Sequence, residues 1–200
     1  MGWIHVIAYN NATGKLKKLY DRIKGPNNSI DHVLSIHSLR PHSLQGHMML
    51  YKNVLHHPDN HLPKWYLEFL GTYVSRLNNC DYCEKHHSVG LRNNLNDDEK
   101  YESLKKAMIS EDFSVVLTPK EIAGLHYAVQ LTNSHRTIIK NDIEILREMG
   151  LSDGEILEIN QVACYFNYVN RVVVGLGVEI EKDNIGLSPQ SSDSDDWSHK

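Results

Sequence analysis

The chain has 200 residues, 40% hydrophobic and 23% charged, which is ordinary globular usage with room for one real core. A net charge of −4 gives no general reason to expect nucleic acid as a partner. No apolar run reaches the roughly 18 residues that span a bilayer, and the start MGWIHVIAYN lacks the basic and apolar regions of a secretory signal, so the expectation is a soluble cytoplasmic protein without nucleic-acid or membrane partners.

Taken in chain order, the patterns are helical almost throughout and predict an all-α fold. ATGKLKKLYDRIKG places Leu16, Leu19, Tyr20 and Ile23 on one stripe and stops at Gly25-Pro26. SIDHVLSIHSL and SLQGHMMLYKNVLHH read as two amphipathic helices, the second following Pro41. LPKWYLEFLGTYVSRL carries Pro63 near its first turn, where a missing N–H costs nothing. DDEKYESLKKAMIS has acids first and bases later, which suits the helix dipole. Thr118 with Glu121, and Ser152 with Glu155, are capping-box pairs that predict helix starts, the second leading through Val162 and beyond. RVVVGLGVEI looks like a strand but has no partner strand, and is read as the buried end of a helix. A short echo between residues 80–91 and 166–177 raises an internal helical repeat. Residues 1–183 are expected to form one helical domain, and 184–200, polar and acidic, a disordered tail.

The chemistry concentrates in NNCDYCEKHHSVGL, residues 78–91. The three cysteines, Cys80, Cys83 and Cys164, are too few for a disulfide framework, and a close pair in a reducing compartment suggests redox chemistry or metal binding. If a helix starts after an Asn79 N-cap, Cys80, Cys83 and His87 fall at relative angles of about 0°, 300° and 340°, one narrow face, with His86 off it at about 240°. A free thiol is less than about a tenth ionised at neutral pH. Activating Cys83 takes more than the ~0.3–1 kcal/mol of a helix N-terminus, and His87 at i+4 is placed to supply the rest. A sulfenic acid on one thiol could then be captured by the other as a disulfide. The same residues leave two other readings open. The cysteines could be small buried hydrophobes, or zinc ligands with a histidine, seven of the thirteen histidines lying between His32 and His61; a structural zinc site would still need a fourth ligand with its own tight spacing. A thioredoxin-like dithiol needs a βαβ setting that this chain does not offer. Cys164, in the apolar run VACYF, is expected in the core.

EFLGTYVSRLNNCDYCEKHH resembles the core of the AhpD-like alkylhydroperoxidases of the carboxymuconolactone decarboxylase superfamily. Glu68 stands twelve residues before Cys80, and His87 four after Cys83. ATGKLKKLYDRIKGP, HVLSIHSLRPHSL and GLSDGEILEINQVACYFNYVNRVVVGLGVEIE are similar to the peroxidase-related branch, and together the likeness covers residues 3–182. The resemblance implies an all-α AhpD-like bundle that assembles as a homo-oligomer. It implies Cys83 as the peroxidatic thiol, Cys80 as its resolving partner, and Glu68 with His87 as the proton relay. The substrate would be a hydroperoxide, the reductant a dithiol or lipoylated protein, with no metal, haem or other cofactor. Decarboxylase-like chemistry and general thiol–disulfide reduction remain alternatives within the family. Founding members carry a histidine just before the second cysteine; here that residue is Tyr82, a poor proton shuttle with a reference pKa near 10.

Overall fold

A computed structural model describes residues 1–183, 185–189 and 196–198. Among these, nine α-helices and three short 3-10 turns follow one another. The helices are α1 (Gly14–Ile23), α2 (His32–Ser35), α3 (Pro41–Leu55), α4 (Lys64–Leu77), α5 (Asp81–Leu95), α6 (Asp98–Ser110), α7 (Pro119–Ser134), α8 (Lys140–Glu148) and α9 (Asp153–Gly175).

Helix α4 is the axis of the fold. Every residue from Tyr66 to Ser75 is buried, the mark of a helix covered on all sides. Its neighbours are α5, α9, α7 and α3. Close approach to α9 depends on Gly71, where a Cβ would stand 2.2 Å from the Phe166 ring. Polar groups of α4 and α9 in this interior pair with one another, as burial requires. Thr72 and Ser75 donate to the Glu68 and Gly71 carbonyls at 2.8 Å, Asn170 donates to the Ser75 hydroxyl at 3.0 Å, and Asn78 donates to the Asn170 side-chain oxygen at 2.9 Å.

Helix ends largely follow the local chemistry. The two boxes expected at Thr118 and Ser152 are formed, each side-chain oxygen accepting the N–H of the glutamate three residues on. The α1 stripe is buried as the spacing requires. RVVVGLGVEI does continue α9, to Gly175, after which the Leu176 carbonyl accepts the Trp3 N–H at 2.9 Å. Residues 80–91 open a helix whereas 166–177 close one.

Two local expectations are corrected, and one helix carries no expectation from the sequence. SIDHVLSIHSL forms only the four-residue α2, followed by turns up to Arg40. Helix α8 was not anticipated; the Asp142 carboxylate satisfies its start by accepting the Ile139 N–H at 2.8 Å. Cys164 is exposed rather than in the core, because Val162, Ala163, Tyr165 and Phe166 take the inward positions of α9. Part of the expected tail (184, 190–195, 199 and 200) lies outside the described residues. Of the rest, Trp197 is buried with the Arg22 guanidinium 3.9 Å from its ring centroid, and Lys52 donates to the Asp196 carbonyl at 2.6 Å.

Candidate active site

The corner between α4 and α5 holds the two cysteines. Asn79 adopts a left-handed conformation (φ 53°), donating its N–H to the Arg76 carbonyl, while the Cys80 N–H reaches back to Ser75 at 2.9 Å. This paired closure is a Schellman motif with asparagine where glycine is usual. Cys80, rather than Asn79, is therefore the N-cap of α5, and its carbonyl accepts the Glu84 N–H at 2.9 Å. Cys80 and Cys83 are joined by a disulfide, with Cα atoms 5.4 Å apart, and both are buried, at 1% and 3% exposure.

Cys83 lines a cavity of about 40 Å³. His87, one turn further along α5, lines it too, as does Glu68 from α4. The His87 Nδ1 lies 2.8 Å from Glu68 Oε2, and His56 Nε2 stands 3.8 Å from the other oxygen. Gly90 makes room for this carboxylate against α5, since a Cβ there would come within 3.1 Å of Oε2. Burial works to raise the Glu68 pKa. The charge and hydrogen bond of His87, with His56 behind them, outweigh it and hold the carboxyl below its ordinary range. The Phe166 ring lies edge-on to the imidazole, with centroids 4.6 Å apart.

The helical wheel separates the two histidines as expected, but His86 is no bystander. It lines the same cavity and stacks on Tyr82, ring centroids 4.3 Å apart. Its Nδ1 accepts the Gly186 N–H at 3.3 Å, which leaves the proton on Nε2, 2.8 Å from Glu181 Oε2. The Tyr82 hydroxyl accepts the Val33 N–H at 3.2 Å and donates to Glu181 Oε1 at 2.8 Å. Burial, then the negative charge of Glu181, pushes the Tyr82 pKa well above its ordinary value, so it remains a donor. Glu181 also accepts the His32 N–H. Burial opposes its ionisation, yet the bonds from His86 and the His32 backbone hold its pKa at about 2.

Sequence reasoning missed Glu181. Its segment lies 95 residues beyond His86, and nothing local to either residue marks the contact. Buried histidine and tyrosine side chains require hydrogen-bond partners, but the spacing does not say which residue supplies them. Among the described residues no group of three or more His, Cys, Asp or Glu side chains is placed to hold a metal ion.

No family model matches the chain, and no curated protein sequence does. Solved structures do. An uncharacterized peroxidase-related protein from Silicibacter sp. TM1040 is 26% identical, with 75% of this chain and 76% of that one covered and a TM-score of 0.66. An AhpD-core, uncharacterized peroxidase-related protein from Ralstonia eutropha JMP134 is 18% identical over 90% of this chain and 93% of that one, with a TM-score of 0.74. The debrominase Bmp8 is 19% identical over 76% and 77% of the two chains, with a TM-score of 0.62. By fold the chain stands with the AhpD-like, peroxidase-related proteins, in agreement with the resemblance in its sequence to the carboxymuconolactone decarboxylase superfamily.

Proposed function

We propose that the protein is a thiol-dependent peroxidase that reduces hydroperoxides through Cys83 and Cys80. The observation that carries this reading is the double position of Cys83, disulfide-bonded to Cys80 and lining a small cavity together with the Glu68–His87 pair. In the reduced protein the Glu68–His87 pair takes the Cys83 proton. The thiolate attacks the terminal peroxide oxygen, the O–O bond breaks, and the departing alkoxide receives that proton, leaving an alcohol and a sulfenic acid on Cys83. The Cys80 sulfur then attacks Cys83 Sγ. An S–S bond forms, the S–O bond breaks, and water leaves with the Cys80 proton. Two thiols of a dithiol or lipoylated donor are oxidised as the disulfide is reduced to the starting pair. A homo-oligomer acting in the cytoplasm is part of the same reading.

General thiol–disulfide reduction would use the same pair, and peroxide consumption is what separates the two readings. The test is a mass measurement on reduced protein after brief exposure to hydrogen peroxide. Loss of two hydrogens mapped to Cys80–Cys83, with peroxide consumed in step, is the expected result; two thiols that stay free would overturn the reading.

A further inference from the structure

Part of the cavity wall comes from the segment that follows α9. Gly186, Leu187 and Ser188 line it, and the segment that carries them is fastened to α5 at two points. At the first, Glu181 receives Tyr82, His86 and the His32 N–H. At the second, the Gly186 N–H is held by His86. Gly186 has φ 78°, and an added Cβ would stand 2.5 Å from Val89 on α5, so the segment lies directly on the helix. Both ring nitrogens of His86 and the oxygen of Tyr82 are committed to this fastening, which leaves neither free to shuttle protons. The residue that replaces the founding family's histidine is an anchor.

A cavity of about 40 Å³ holds about three water-sized positions, at roughly 10–15 Å³ for each. Hydrogen peroxide fits such a space, whereas the carbon group of a larger peroxide has to find room past Gly186, Leu187 and Ser188. We propose that this C-terminal segment, through Gly186, Leu187 and Ser188, sets the substrate limit of the site, admitting hydrogen peroxide and peroxides of similar bulk and excluding those with branched or aromatic carbon groups. The inference rests on the peroxidase reading and names its substrate class.

The experiment follows oxidation of Cys83 in the reduced full chain by hydrogen peroxide and by cumene hydroperoxide, each rate divided by that of free cysteine with the same peroxide. The wild type is expected to prefer hydrogen peroxide by at least about tenfold, and Leu187→Ala to shrink that preference about tenfold, the low end of what one methylene is worth in an apolar pocket. Gly186→Ala, which lifts the segment from Val89, should act in the same direction as a second variant. Equal normalised rates in the wild type would overturn the inference and leave the peroxidase reading standing, as would a preference that both variants retain. Oxidation of Cys83 by neither peroxide faster than free cysteine would instead fail the peroxidase reading and take this inference with it.

Discussion

At Cys83 the proposed chemistry depends on one sulfur, and the two cysteines should separate cleanly when changed. Cys83→Ser is expected to abolish peroxide consumption. Cys80→Ser should still let Cys83 reach the sulfenic acid, detectable by a sulfenate-specific trap, yet form no disulfide and no steady turnover with a dithiol. Glu68→Gln keeps the volume and removes the charge that His87 faces at 2.8 Å; oxidation of Cys83 should slow by about 10²–10⁴, the range of a lost general base. Because Glu68 is held below its ordinary pKa, it stays ionised above about pH 5, and any activity lost on acidification between pH 8 and 5 belongs to other groups. These four residues were legible because their spacing along two consecutive helices carries the pattern. The placement of His86 was half legible: a helical wheel says which way a side chain leaves its own helix, not what a distant segment brings to meet it.

Helices α4 and α9 meet closely at Gly71, and α4 and α5 at Gly90. Gly71→Ala would drive a methyl into the Phe166 ring, and overfilling of this kind is expected to cost about 1–3 kcal/mol, read from urea unfolding. Gly90→Ala meets the Glu68 carboxylate at a less severe distance, so its effect should fall on Cys83 oxidation more than on unfolding. The stripes, prolines and capping boxes of α1, α3, α4, α7 and α9 could be read because each signal is local. The α2 segment has the apolar spacing of a longer helix but resolves into turns after Ser35, and period alone does not report where backbone bonding stops. Cys164 shows the complementary limit, since an apolar run on a helix must still turn one residue in it outward.

For the whole molecule, the fastening of the C-terminal segment makes stability depend on pH. The Glu181 pKa is lowered from 4.5 to about 2 by folding. The native state therefore holds fewer protons there than the unfolded chain, and the stabilisation is complete above about pH 5. It is lost as pH falls through the interval from 4.5 to 2, to the extent of about 3 kcal/mol. Glu181→Gln should flatten that part of the curve of unfolding free energy against pH; a variant with the wild-type acid slope would show that the ionised carboxylate has no such role. No helix among the described residues is long and apolar enough to cross a membrane. The corner at Cys80 carries a further consequence. Its N–H closes one helix and its carbonyl opens the next, so the backbone on both sides of the dithiol is held whether or not the sulfurs are joined. The 5.4 Å between the two Cα atoms is helical spacing and also lies within the range a disulfide spans. Gaining and losing two electrons then calls for side-chain rotation alone, and far-ultraviolet circular dichroism of the oxidised and reduced forms should superimpose. A reductant docking on such a protein would meet one outline in both states, and would have to discriminate spent from ready copies by reaction rather than by fit.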